Sequence, residues 1–169
     1  VTQWVDNLKG EIPDYAKDIK LNLDTTIKRS ILGETAEYVA LAAAFATGHH
    51  KLWTWIHSEM TDNKEAEAAI TAASIMAMNN TWYPYVEMSK DIQLKNLPAQ
   101  LRMNAISTHA GTTKDKFEIY SLAASIVGKC EFCVKAHYDT LRKAGYNVEQ
   151  LRDIGRISSV ITAVSKIMV

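Results

Sequence analysis

Glycine and proline are scarce in this chain, with seven and three residues among 169. That is about half their usual combined share of ~12%. Few breakers of helix are therefore present. Cysteine is scarcer still: two residues cannot form the disulfide framework that rescues small secreted domains, and a reducing, cytoplasmic setting is expected. Net charge is absent as well, since 19 basic residues balance 19 acidic ones. No electrostatic footprint for nucleic acid or an anionic membrane surface is present, and neither partner is expected. The longest apolar run, Tyr38 to Ala46, is nine residues, against the ~20 needed to span a bilayer. The first residues carry Asp6, Lys9 and Glu11, so no secretory leader is read there.

What is abundant is alanine, in runs such as Ala42-Ala43-Ala44 and Ala72-Ala73, which favours helices joined by short connections. The expectation is an all-α fold in a single domain over residues 1–169. Apolar spacing predicts an opening amphipathic helix from Ile12 to Leu23, with Tyr15, Ala16, Ile19 and Leu23 on its stripe, and a long helix from about Glu34 to Ala46. After a break at Gly48, a helix carries Trp53, Ile56 and Met60, and Asp62-Asn63 turns the chain. Glu65 to Met78 is helical and is expected to close at Asn79-Asn80, ahead of an aromatic loop of Trp82, Tyr83, Pro84 and Tyr85, because a proline pushes the preceding residue out of helical backbone. Leu97 to Met103 reads as a short helix opened by Pro98, Phe117 to Val127 as a longer one ending at Gly128, and Cys130 to Ala144 as a helix capped by Gly145. Val148 to Met168 closes the chain with a broad apolar face.

Four identities at an offset of 80 pair Ala43, Ala44, Gly48 and His57 with Ala123, Ala124, Gly128 and His137. They suggest two related helical hairpins, about 34–80 and 114–168, of which the C-terminal one is catalytic. His50 and Trp53 then stand where Cys130 and Cys133 stand in the second copy.

The most informative stretch is Gly128-Lys129-Cys130-Glu131-Phe132-Cys133-Val134-Lys135-Ala136-His137. Residues three and four apart are neighbours on a helix, so Cys130 faces Cys133 and Cys133 faces His137. An i,i+3 pair lies roughly 5 Å apart at Cα, within the ~4.4–6.8 Å range that a disulfide needs. Both thiols fall in the first turn after a glycine break, where unpaired N–H groups and the helix dipole favour thiolate. His137 is placed to accept a proton from Cys133, and Glu118 on the preceding helix to orient that imidazole. Two other readings share the pattern: zinc held by Cys130, Cys133, His137 and Glu118, and two inert buried cysteines beside a core histidine. His49, His50 and His109 show no partner at ligand or catalytic spacing and read as loop or surface residues, and the aromatic group Trp82, Tyr83 and Tyr85 reads as packing.

The chain resembles alkyl hydroperoxidase D, of the carboxymuconolactone decarboxylase-like superfamily. The likeness runs over nearly the whole chain: residues 15–23, Met76-Ala77-Met78-Asn79-Asn80, Leu101-Arg102-Met103-Asn104, Phe117-Glu118, the two cysteines, and His137 with Thr140-Leu141-Arg142. The resemblance implies an all-helical homotrimer without bound cofactor that reduces organic hydroperoxides. Dihydrolipoamide, or the lipoyl group of an acyltransferase, is the implied electron donor, and a peroxiredoxin, alkyl hydroperoxide reductase C, the partner it regenerates. It further implies that Cys133 is the peroxide-attacking thiol, Cys130 the resolving thiol that also exchanges with the partner, and His137 with Glu118 the proton relay. A thiol-disulfide adaptor with little peroxidase activity of its own is the alternative. Lactone decarboxylation, found elsewhere in the superfamily, has no need of a neighbouring dithiol. The chain departs from the family pattern at Phe132, where a known member carries histidine. That exchange bears on local polarity and on the rate of disulfide exchange.

Overall fold

The structure is a computed structural model that describes residues 3–169; Val1 and Thr2 lie outside the described residues. The described chain contains ten α-helices and two short 3₁₀ turns, and no strand. The all-α expectation therefore holds. In order the helices are α1 (Gln3–Lys9), α2 (Lys17–Lys28), α3 (Thr35–Thr47), α4 (His50–Glu59), α5 (Asn63–Ser89), α6 (Ile92–Lys95), α7 (Ala105–Thr108), α8 (Lys114–Gly128), α9 (Glu131–Lys143) and α10 (Val148–Ile167). None of them is long and apolar enough to cross a membrane.

The alanine runs explain which helices lie inside. A helix apolar on all sides has no face to give to water and becomes a core helix. In α3 every residue from Ala36 to Ala44 is buried, and α8 is buried from Ile119 to Ser125. These two pack on each other and on α5, whose Ala68, Ala69, Ala72 and Ala73 are fully buried. Where alanines meet, no side chain beyond Cβ holds the helices apart. The amphipathic helices then cover this centre: α10 lies over α3 and α8, α2 over α10, α4 against α3, and α9 against α8 and α5.

Polar ties between elements fix the arrangement. Glu65 on α5 accepts hydrogen bonds from the Thr112 hydroxyl at 2.8 Å and from the Tyr120 hydroxyl. Burial, together with that carboxylate, holds the Tyr120 hydroxyl far above its ordinary pKa, so it remains a donor. The buried carboxylate of Asp153 accepts from Ser30 Oγ at 2.8 Å, from the Ile31 amide at 3.1 Å and from Arg156 at 3.1 Å, tying the α2–α3 connection to α10. Asp153→Ala leaves these donors without an acceptor and is expected to cost about 2–3 kcal/mol, read as a lower urea midpoint at unchanged m-value.

Four sequence expectations are corrected. The opening helix does not begin at Ile12: α1 precedes it and buries Trp4, Val5 and Leu8, while Tyr15, assigned to the apolar stripe, is 82% exposed in a 3₁₀ turn ahead of α2. The helix begun near Glu65 does not close at Asn79-Asn80. It continues through Pro84 to Ser89, so Trp82, Tyr83 and Tyr85 are helical. Proline removes the donor that would meet the Asn80 carbonyl, but Tyr83 stacks on Phe132 and Val86 is buried, so tertiary contacts on both sides of Pro84 carry the helix through. Leu97 to Met103 is not helical; Gln100 has φ of +53° and Leu97 is exposed. A helix that short needs a buried face, and this segment has none. Finally, His49 is not partnerless. Its Nδ1 accepts from the Leu52 amide at 3.0 Å and caps α4, which leaves the proton on Nε2 to be donated to the Met168 carbonyl at 3.1 Å.

Candidate functional site

The site is built where α8 hands the chain to α9. Helix α8 ends at Gly128, and the left-handed residue that turns the chain is Lys129 (φ 54°), one position later than the sequence suggests. What Gly128 supplies instead is room. A Cβ there would stand 2.3 Å from Asn80 Nδ2 and 3.0 Å from Asn80 Cβ. The same Asn80 amide donates to the Ala124 carbonyl at 3.2 Å, so α5 grips the last turn of α8 directly before the cysteines. Gly128 is in the last turn of a helix, where alanine by itself would gain about 0.5–1 kcal/mol. Gly128→Ala is nonetheless expected to destabilise the protein by about 1–3 kcal/mol through overpacking, measured by denaturant unfolding.

Cys130 is the N-cap of α9: its backbone is extended and its Sγ accepts from the Cys133 amide at 3.2 Å. Cys133 sits one turn inside the helix. The two are joined as a disulfide with Cα atoms 5.3 Å apart, within the distance anticipated from their spacing. Both are buried, Cys130 completely and Cys133 to within 3%. Cys133 Sγ lies 3.7 Å from the Asn79 carbonyl, an acceptor for its thiol once the bond is opened. Capping positions the redox pair: opening the disulfide places a sulfur at the N-terminus of α9, where free amide hydrogens and the helix dipole stabilise negative charge. In the N-terminal half the corresponding cap of α4 is His49, not His50 as the offset of 80 suggests.

One turn after Cys133, His137 presents two nitrogens to two different partners. Nδ1 stands 2.7 Å from Glu118 Oε2 on α8, and both side chains are mostly buried. Nε2 stands 3.2 Å from Met76 Sδ on α5. The pairing of Glu118 with His137 across α8 and α9 is the one inferred from sequence. Nothing in the spacing of Met76 announces a contact with the imidazole.

The two cysteines border different spaces. Cys133 and His137 line a cavity of about 390 Å³ whose other walls include Met76, Tyr83, Met103 and Ile106. Cys130 lines a larger hollow of about 670 Å³ with Pro84, Met88, Lys90, Lys129 and Glu131. Phe132 borders both, half-exposed, with its ring stacked on Tyr83 at a centroid distance of 4.5 Å. Tyr83 thus belongs to the site and is not packing alone. Among the described residues no group of three or more His, Cys, Asp and Glu side chains is arranged to hold a metal ion. The arrangement offers one small, largely apolar chamber lined by Cys133 and His137, with Glu118 paired to the imidazole from α8, and a second hollow beside Cys130.

The carboxymuconolactone decarboxylase family matches residues 93–169, the part that carries α8, α9 and α10. Over nearly its whole length the chain is similar to proteins named alkyl hydroperoxide reductase AhpD. It is 39% identical to that of Coxiella burnetii (strain RSA 493 / Nine Mile phase I), over 95% of this chain and 94% of the relative. It is 36% identical to that of Maricaulis maris, over 97% and 96%, and 38% identical to that of Rhodospirillum centenum, over 97% and 90%.

Proposed function

This chain belongs to the alkyl hydroperoxide reductase AhpD family and is an enzyme of oxidoreductase type, and from that premise we propose that it reduces organic hydroperoxides at Cys133 with electrons delivered by dihydrolipoyl groups. The observation that carries the proposal is the shared chamber in which Cys133 and the Glu118-paired His137 meet an apolar wall. An alkyl hydroperoxide needs a nucleophilic sulfur at its terminal oxygen, a proton for the departing alkoxide, and apolar surface for its tail.

The steps balance. His137, held by Glu118, accepts the Cys133 thiol proton. The thiolate attacks the terminal oxygen, the O–O bond breaks, and the alkoxide leaves as alcohol with the proton returned from the imidazole. Cys133 is then a sulfenic acid. The Cys130 thiol attacks it, water departs, and the disulfide closes. One dihydrolipoyl thiolate attacks the disulfide and its second thiol completes the exchange, leaving two protein thiols and an oxidised lipoyl ring. Cys130, on the larger hollow, is assigned the exchange with the reductant and with a partner peroxiredoxin, alkyl hydroperoxide reductase C. No bound cofactor enters this scheme.

The same reading includes a cytoplasmic homotrimer served by a lipoyl-bearing acyltransferase. In support of assembly, Tyr85, Met88, Ile92, Leu97, Leu101 and Ile106 are exposed apolar residues along one consecutive segment; light scattering on the purified protein measures its mass directly. Phe132 favours a second reading, because a half-exposed ring beside the sulfurs suits contact with a protein. In that reading the chain only relays electrons from lipoyl groups to the peroxiredoxin. Purified protein supplied with dihydrolipoamide and cumene hydroperoxide separates the two. Turnover without added peroxiredoxin is expected; turnover only with peroxiredoxin selects the relay, and turnover in neither mixture overturns the proposal.

A further inference from the structure

Met76 stands apart among the six methionines. Its side chain is 1% exposed, yet its sulfur lies on the wall of the Cys133 chamber and 3.2 Å from His137 Nε2. A thioether accepts hydrogen bonds and donates none, so this contact becomes a hydrogen bond only when Nε2 carries the proton that the relay takes up. Met103 also borders this chamber, but the sulfur set against the imidazole is that of Met76; the buried Met60 and Met168 do not line it, and Met88 is 72% exposed and lines only the hollow beside Cys130.

We propose that Met76 is an oxidation site of the chamber, converted to the sulfoxide by the hydroperoxide that enters to meet Cys133 once the dithiol is in its disulfide form. The inference rests on the reading that organic hydroperoxides occupy this chamber. With Cys133 bound to Cys130, the thioether is the nearest uncommitted sulfur to the relay imidazole. Its lone pair attacks the terminal oxygen of the hydroperoxide and an S–O bond forms as the O–O bond breaks. The sulfur gives up two electrons and becomes a sulfoxide. The departing alkoxide takes the Nε2 proton and leaves as alcohol, while the proton lost from the terminal oxygen restores the imidazole. No further oxidant or reductant is consumed.

The consequence follows from the contact itself. A sulfoxide oxygen is a far stronger acceptor than a thioether and extends beyond the sulfur, so it holds Nε2–H and occupies space beside Cys133. Relay and chamber are both impaired, and the lesion is one that methionine sulfoxide reductases reverse. Met76 therefore records exposure to more peroxide than the electron supply can clear.

The test uses the full-length protein in its disulfide form, exposed to cumene hydroperoxide, with sulfoxide at each methionine followed by peptide mass spectrometry. Met76 is expected to oxidise at least ten-fold faster than Met60 and Met168, which are more exposed, and dihydrolipoamide-dependent activity to fall in step and return after methionine sulfoxide reductase treatment. Met76→Leu keeps the volume and removes the oxidisable sulfur; it is expected to lose no further activity during the exposure. If that variant fails to fold, the wild-type comparison still decides. Oxidation of Met76 at the pace of Met60 and Met168, or activity unaffected by a fully formed sulfoxide, overturns the inference. A parallel arm follows thiol loss in the reduced protein. Rapid thiol loss with an inert Met76 removes this inference and leaves the hydroperoxidase reading, whereas inert thiols remove that reading itself.

Discussion

Cys133→Ser is expected to lower the rate of cumene hydroperoxide consumption by on the order of 10³-fold or more, because a serine hydroxyl in this chamber has no thiolate form to offer the O–O bond. The companion Cys130→Ser should behave differently. Cys130 caps α9 through its side chain, and serine is among the residues best suited to that position, so the turn and the helix are retained. With Cys133 intact and no resolving sulfur, Cys130→Ser should consume one equivalent of peroxide and stop, leaving a sulfenic acid on Cys133 that dimedone captures. If both variants stall before the first equivalent, or if the roles prove reversed, the assignment of the two sulfurs to separate spaces is wrong. The relevant measurement is burst amplitude, which distinguishes a missing nucleophile from a missing resolving thiol where steady-state rates do not.

Glu118→Gln carries the second large effect. The carboxylate stands 2.7 Å from His137 Nδ1, and glutamine keeps an oxygen acceptor there while removing the negative charge beside the imidazole. The rate constant for the first peroxide equivalent should fall about 10²-fold, at the low end of what general acid-base groups contribute. Thermal stability should change little, because the hydrogen bond can persist. A fall in rate with an unchanged melting temperature identifies Glu118 as part of the proton relay, acting through His137. An unchanged rate reduces the pair to a structural contact between α8 and α9.

The readable parts of this molecule were those in which chemistry and geometry coincide within a few residues. The Cys130, Cys133 and His137 spacing fixes a helical surface by itself, and the disulfide distance follows from one turn of helix. Glu118 is reached by a short αα connection, so its pairing with His137 was within range of the same reasoning. The alanine runs Ala42-Ala43-Ala44 and Ala72-Ala73 announced helix, and they fall in α3 and α5.

What was not legible depends on contacts between distant segments. Pro84 signals a helix end in any local reading, and only the stacking of Tyr83 on Phe132, residues 49 positions apart, together with the burial of Val86, explains why α5 continues. Gly128 looked like a helix stop, but its necessity lies in the approach of Asn80, and the left-handed turn itself falls on Lys129. Met76 meets His137 across 61 positions, and methionine has no spacing rule that would announce it. His49 looked idle because both of its partners are backbone atoms, one at the far end of the chain. Leu97 and Leu101 erred in the opposite direction, since helical spacing of apolar residues means little where no surface in the described chain receives them.

The central claim is that the neighbouring sulfurs of Cys130 and Cys133 cycle against a hydroperoxide. Stopped-flow mixing of the fully reduced protein with sub-stoichiometric to excess cumene hydroperoxide, quenched and weighed by intact mass spectrometry, tests it most directly. The expected result is one peroxide consumed per chain and a loss of two mass units, mapped to the Cys130–Cys133 bond. Thiols that survive excess peroxide with the chain folded and its mass unchanged would contradict the account.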